Sequence, residues 1–356
     1  MFEPLIDRFS EGPLLIAVGG LVGLLFGASA QHSRFCLRAA TVEVANGEFG
    51  ARLAVWFLAF FTALFAVQGL IATGALEVAE ARQLAATGSL SGAVIGGAMF
   101  GAGMVLARGC ASRLFVLSAT GNLRALITGL VLTLVAQASL RGVLAPAREG
   151  LAGLWTVPGG EARDLLAVVG VSQNHVVWMS AVALFVSIPF ALRRRVPVSR
   201  VVASILVGVA IALGWGLTFA IAQSSFEVIP IASVTFTGPA TDTLMGLVNE
   251  ATLPASFGVG LVPGVFVGAG LMAVLSREFA IQRFGPDVPM ERYLIGACLM
   301  GFGAMLAGGC AVGAGLSGGA VFSLTAWVAV FAMWVGAVVT HRLLGGSQAQ
   351  AVAGMS

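Results

Sequence analysis

The sequence predicts an all-α polytopic membrane protein, with about nine transmembrane helices, short re-entrant helices and two inverted repeats. Three observations predict it. Hydrophobic residues make up 58% of the 356-residue chain and charged residues only 10%, with a mean hydropathy of +0.98, a composition that a water-soluble chain of this length does not carry. Nine apolar stretches approach the roughly 20 residues that cross a bilayer. One 17-residue segment also occurs twice, as IGGAMFGAGMVLARGCA from Ile95 to Ala111 and as IGACLMGFGAMLAGGCA from Ile295 to Ala311, with nine identical positions. A duplicated element carrying a thiol at the same place in each copy suggests two half-sites facing one another.

In chain order the spans read Leu14–Ala30, Leu53–Leu76, Leu90–Ala107, Leu123–Leu140, Val176–Leu192, Val201–Ala222, Ser256–Leu275, Tyr293–Ala307 and Ala320–Thr340. The first, fifth and eighth are short. Short spans followed by Gly-rich apolar loops are expected where broken helices line a cavity. Glu3, Asp7 and Glu11 precede the first span where a signal peptide would carry basic residues, so it reads as a membrane span and not as a cleaved leader.

Charge sets the orientation. Every basic residue is Arg. With the N-terminus outside, fourteen of nineteen fall inside: Arg34, Arg38, Arg52, Arg108, Arg113, Arg124, Arg193, Arg194, Arg195, Arg200, Arg277, Arg283, Arg292 and Arg342. Arg8, Arg82, Arg141, Arg148 and Arg163 fall outside. The positive-inside bias therefore predicts a periplasmic N-terminus and a cytoplasmic C-terminus. The arginines are scattered over loops, so the net charge of +3 is no sign of nucleic-acid binding.

In this topology the third span runs inward and the eighth outward. Cys110 is then reached from the cytoplasm and Cys310 from outside, and the two copies are inverted. We expect residues 1–356 to form a single membrane domain, with a first repeat over 14–145 and a second over 200–345. GLLFGA at Gly23–Ala28 faintly echoes GVFVGA at Gly264–Ala269.

The cysteines are Cys36, Cys110, Cys298 and Cys310. Cys298 lies mid-span and its counterpart is Ala98, which fits packing. Cys110 and Cys310 each follow a glycine, Gly109 and Gly309, at an expected helix break. There a thiol and free backbone N–H groups can face a cavity. Cys36, between Arg34 and Arg38, reads as the inner mouth of a path. No Asp or Glu lies within the nine spans, which argues against a carboxylate relay or an acidic-ring cation channel. An anion fits better, drawn by helix N-termini and by Arg108 and Arg113 beside Cys110. Thiols add a soft contact for sulfur. Gly97, Gly101, Gly103, Gly301 and Gly303 read as close-packing positions, and Met99, Met104, Met300 and Met305 as core filling. His32, His175 and His341 have no ligand spacing, so no metal site and no cofactor are expected.

The segments RFC (Arg34–Cys36), ARGCASR with GNLR (Ala107–Arg113, Gly121–Arg124) and AGGCAVGAGLSG (Ala307–Gly318) resemble those of the YeeE/YedE sulfur-transport family of bacterial inner-membrane proteins. The resemblance covers nearly the whole chain. It implies an hourglass of broken helices with inverted symmetry. It also implies import of thiosulfate or a related sulfur compound through a constriction, by a relay of Cys36, Cys110 and Cys310, and a small cytosolic sulfur-carrier partner of the TusA-like type. The chain departs from the family pattern at Ala314, where many relatives have a His, which leaves the sulfur or selenium species open. Two other classes remain on the residues alone. One is a membrane redox or sulfur-transfer protein whose thiols form persulfides or disulfides. The other is a soft-metal transporter.

Overall fold

The computed structural model describes residues 10–251, 253–283 and 289–353; Glu3, Asp7 and Arg8 lie outside the described residues. Among the described residues nine helices are long and apolar enough to cross a membrane. The chain begins with α1 (Glu11–Ser33), breaks, and resumes as the short α2 (Leu37–Ala45). It recrosses in α3 (Ala51–Ala72). A one-turn α4 (Arg82–Ala85) and β1 (Gly88–Ser89) lead into α5 (Leu90–Leu106), which breaks and resumes as α6 (Ala111–Ala119). Then come α7 (Leu123–Arg141), α8 (Ala145–Ala152), β2 (Thr156–Val157), a 3₁₀ turn (Glu161–Arg163), α9 (Leu165–Val169) and α10 (Gln173–Arg193). The last part holds α11 (Val198–Ser224), an irregular stretch, α12 (Thr237–Asn249), α13 (Phe257–Leu275), α14 (Met290–Ala307), a π-helical turn (Gly313–Gly318) and α15 (Leu324–Ala353).

The helix ends follow local chemistry. Ser89, Asn122 and Ser256 cap α5, α7 and α13 by accepting from the N–H three residues on. Two of the spans expected to be short are longer in the structure: α1 has 23 residues and α10 has 21. Polar ends such as Gln31–Ser33 remain helical because the backbone must satisfy itself wherever water is scarce.

Small residues decide the packing. Gly19, Gly23 and Gly27 recur every fourth residue on α1, and Gly260, Gly264 and Gly268 do so on α13. A Cβ at any of them would strike the opposite backbone. This is the close approach that stands in for a hydrophobic drive between helices in lipid. The echo between Gly23–Ala28 and Gly264–Ala269 is therefore the signature of one shared seam. A second seam joins the two copies of the repeat: a Cβ on Gly103 would lie 2.6 Å from the Gly296 carbonyl, and one on Gly303 2.6 Å from the Gly96 carbonyl. Gly301 meets Leu132 of α7, and Gly97 meets Ala329 of α15, in the same way. Cys298 does not pack as expected. It is exposed on the outer face of α14, because the seam uses Gly296 and Gly303 on the opposite side.

Element contacts pair α1 with α13 and α11 with α3; they also pair α5 with α15 and α14 with α7. Helix α10 packs mainly on α3 and leaves Trp178, Met179, Phe185 and Val186 exposed, as a lipid-facing helix does. One end of the bundle is tied by Arg34–Glu278 at 2.9 Å, Asn122 to Gln282 and His341 to Asn46. The opposite end is tied by the β1–β2 pair, the Asp164–Ser323 bridge and Ser225 donating to Glu11. The first end holds the Cys110 loop and the second the Cys310 loop.

Candidate functional site

Three helix breaks place the three cysteines. Helix α1 closes on Arg34 in the left-handed region, φ 57°, and Cys36 starts α2. Helix α5 closes on Arg108, φ 55°, and Cys110 starts α6. Helix α14 closes on Gly308, φ 80°, two residues before Cys310. A left-handed residue past the last turn ends a helix sharply, so each break delivers its thiol onto the start of a new turn. All three thiols are buried: Cys110 and Cys310 are fully enclosed and Cys36 nearly so.

The structure brings Cys36 and Cys110 together, Sγ to Sγ 4.0 Å apart. The Ser112 hydroxyl lies 3.4 Å from the Cys110 sulfur. Cys310 has a different neighbour, the Thr235 hydroxyl at 3.9 Å, and the Gly313 N–H donates to its sulfur at 3.5 Å. The loop behind Cys310 is held open as a π-helical turn, a wide geometry that recurs at functional sites. Trp215 Nε1 donates to the Ser317 carbonyl at 3.2 Å, and Ser317 Oγ donates to the Val234 carbonyl at 2.6 Å. The first bond ties the turn to α11 and the second fixes it against the irregular stretch that carries Thr235.

Between the two thiol sites lies an aromatic chain. Phe35 packs edge-on to Phe26 at 6.5 Å, Phe26 meets Phe236 at 5.3 Å, and Phe236 meets Phe115 at 5.8 Å. Phe26, Phe35 and Phe236 are buried, and Phe35 and Phe236 are the chain neighbours of Cys36 and Thr235. A run of apolar phenylalanine rings thus leads from Phe35, beside Cys36, to Phe236, beside Thr235.

The remaining expected site residues divide. Gly109 and Gly309 sit at their breaks. A Cβ on Gly109 would touch only the tip of Leu114, 3.3 Å away, whereas one on Gly309 would press the Ala314 backbone nitrogen at 3.0 Å. Arg113 is half-buried and donates to Gln31 Oε1 at 3.3 Å. Arg108, expected to draw anions beside Cys110, ends α5 with a left-handed backbone and is exposed.

Sequence reasoning missed four participants. Thr235 and Asp242 come from α12 and the irregular stretch before it, too short and too hydroxyl-rich to register as a span. Asp242 lines a cavity of about 290 Å³ with Gly308 and Gly309, so a carboxylate does stand near one Gly-Cys loop. The buried Arg163 and the exposed Arg82 line a neighbouring cavity of about 270 Å³ with Gly308, Gly313, Ala314 and Gly318. Sequence alone could have flagged only Asp242, as a lone acid within TGPATDTLMGLV. Among the described residues no group of His, Cys, Asp and Glu could hold a metal ion.

Sequence comparison with known proteins gives a family and two relatives. The family model described as sulphur transport matches residues 32–339. A thiosulfate transporter named TsuA from Escherichia coli (strain K12) is 28% identical over 349 residues, spanning 90% of this chain and 92% of its own. The protein of the same name from Spirochaeta thermophila is 28% identical over 336 residues, spanning 88% of this chain and 94% of its own.

Proposed function

The chain belongs to the sulphur transport family, a family of membrane transporters and not of enzymes; from that premise we propose that it imports thiosulfate, or a closely related small sulfur anion, across the bacterial inner membrane. The observation that carries this reading is the placement of Cys36, Cys110 and Cys310 at three helix breaks, with the run of phenylalanine rings leading from Cys36 toward the Thr235–Cys310 contact. The names of the two relatives support the substrate.

In this reading the N-terminus is periplasmic and the C-terminus cytoplasmic, so substrate enters at Cys310 and leaves past Cys110 and Cys36. A neutral thiol can touch the terminal sulfur of thiosulfate without the repulsion a thiolate would impose. The Gly313 N–H and the N-termini of α2 and α6 supply donors for the anionic oxygens. The aromatic stack is the constriction. It is too dry for a hydrated anion, so the substrate passes only as thiols and N–H groups replace its water. Movement is drawn by consumption inside. Partner transfer to a small TusA-like sulfur carrier would take place at the arginine-rich Cys110 end.

Two inverted repeats, 14–145 and 200–345, fit the paired helix contacts. The α1–α13 contact matches α11–α3, and α5–α15 matches α14–α7, with the α5–α14 seam on the axis. In this reading Cys36 stands opposite Thr235 and Cys110 opposite Cys310.

Uptake of sulfur-labelled thiosulfate into cells lacking their own sulfate and thiosulfate importers tests the proposal. Wild type should restore uptake and Cys110→Ala should abolish it with protein still in the membrane. Normal uptake by Cys110→Ala and Cys310→Ala would remove the relay, and no uptake by wild type would remove thiosulfate.

A further inference from the structure

We propose that the apolar groove between α3 and α15, together with the arginine run at the end of α10, is a binding site for an anionic phospholipid. The headgroup sits on Arg193, Arg194 and Arg195, and an acyl chain lies along the back of the Cys310 loop. The inference goes beyond the import reading and uses neither the substrate nor the direction of transport.

The groove holds about 390 Å³ and is lined by aromatic and aliphatic residues and glycine, with no charged residue. Trp56 and Phe57 come from α3, Phe331 and Trp334 from α15, and Gly315 and Gly319 of the π-helical turn complete the lining. An acyl chain seated there backs the turn that follows Cys310. A second groove of about 360 Å³, between α3 and α10, shares Phe60, Phe61 and Trp327 with the first, which gives room for the second chain of a diacyl lipid. Trp56 Nε1 is a buried donor with no acceptor among the described residues, and a buried N–H left unpaired calls for a partner. Trp56 stands five residues into α3, which begins at Ala51. That is the depth of the membrane interface, where indole rings settle and where a lipid ester carbonyl can accept from the N–H.

An aromatic step joins the groove to the charge. The Phe57 ring meets Phe190 of α10 at 6.4 Å, and the Arg194 guanidinium lies 5.5 Å from the centre of the Phe190 ring. Arg193, Arg194 and Arg195 are consecutive and exposed, and none has a carboxylate partner among the described residues. Orientation in the membrane alone would be served by arginines anywhere in the loop. These three instead close the helix whose outer face, with Trp178, Phe185 and Val186, is bare of protein contacts. A basic cluster where a lipid-facing helix leaves the bilayer is the pattern that holds an anionic headgroup. A zwitterionic lipid gains the groove but not the charge, so the site commits to a headgroup of net negative charge.

The probes are phosphatidylglycerol and phosphatidylcholine with the same brominated acyl chains, since bromine quenches indole fluorescence on contact. The full chain is reconstituted in vesicles with Trp178→Phe, which removes an exposed indole of α10. Brominated phosphatidylglycerol should quench the groove tryptophans, Trp56, Trp327 and Trp334, at about a tenfold lower fraction of the bilayer than brominated phosphatidylcholine. Arg193→Gln/Arg194→Gln/Arg195→Gln should bring the two lipids onto one curve. Arg193→Lys/Arg194→Lys/Arg195→Lys should keep the preference, which separates lost charge from a misplaced helix end. Val330→Phe, which narrows the groove from α15, should reduce quenching by both lipids. Equal quenching by the two lipids in the otherwise native chain, or a preference that survives the triple glutamine variant, would overturn the site. These readouts involve no thiosulfate, so the lipid site and the import reading stand or fall separately.

Discussion

The two ends of the molecule solve one problem with different chemistry. At the Cys110 end the broken helices bring two thiols to 4.0 Å; at the Cys310 end the corresponding gap of 3.9 Å holds a thiol and the Thr235 hydroxyl. The loop after Cys110 is an ordinary α-helical turn, and the loop after Cys310 is a π-helical turn pinned by Trp215 and Ser317. Both thiols remain enclosed, so the difference is in what each thiol is paired with and in how freely its loop can adapt. A thiol pair can share a soft sulfur between two equal partners. A thiol–hydroxyl pair holds it on one side only. On the proposed import reading, the Cys310 end receives substrate and the Cys110 end passes it on.

The comparison can be broken most decisively by oxidation. Two sulfurs at 4.0 Å need only small side-chain rotations to close a disulfide, while Cys310 has no thiol partner. Treatment of membranes with copper phenanthroline should abolish thiosulfate uptake by wild type, and dithiothreitol should restore it. Cys36→Ser should lose the oxidant-induced cross-link itself, read as the mobility shift and the number of thiols protected from alkylation. A cross-link that persists in Cys36→Ser would mean that the reacting thiols lie elsewhere.

Substitution of the loop glycines should come next. Gly109→Ala meets a movable Leu114 tip, so uptake should fall by less than about threefold. Gly309→Ala presses backbone and should destabilise the fold by roughly 1–3 kcal/mol. Gly313→Ala would strike the Thr235 side chain and should behave like Gly309→Ala. Thermal melting in detergent beside uptake distinguishes the two ends. Equal tolerance at 109 and 309 would contradict the stiffer Cys310 loop.

A smaller effect is expected from Thr235→Cys, which makes the two ends alike. The variant should gain an oxidant-induced cross-link to Cys310, visible as a mobility shift that persists in a Cys36→Ser background. With Cys36 intact, its uptake should change only several-fold.

The smallest effect is electrostatic. The Glu278 carboxyl is held below its ordinary value, chiefly by the hydrogen bond from Arg34 and also by the amide of Gln31. The contribution to stability is therefore present above the unfolded carboxylate pKa of about 4.3 and is lost as pH falls through the lower folded value. Both partners are substantially exposed, so it amounts to at most about 1 kcal/mol. Glu278→Gln should melt slightly below wild type at pH 7, and the gap should close as pH falls below the ordinary carboxylate range.

Legibility from sequence followed the range of the interactions. The nine spans were readable because a bilayer imposes length and hydropathy locally. The Gly-Cys loops were readable because the duplication marks them, and glycines such as Gly103 and Gly296 because close packing admits little else. Thr235 and Arg163 were not. Each reaches the site through contacts that span many residues of sequence, as when Arg163 bonds Thr325 from a loop with no pattern of its own. The exposure of Arg108 was not readable either, since adjacency to Cys110 in sequence does not say that the residue ending α5 faces outward.

Counterflow in proteoliposomes puts the central claim to the most direct test. Purified wild type and the three single variants Cys36→Ser, Cys110→Ser and Cys310→Ser would be reconstituted at matched density and loaded with unlabelled thiosulfate. Wild type should accumulate labelled thiosulfate. Each serine variant should lose it by roughly 100-fold, the scale on which removing one positioned contact acts on a barrier, although serine keeps nearly the same shape. Undiminished exchange in all three variants would contradict passage by way of the thiols.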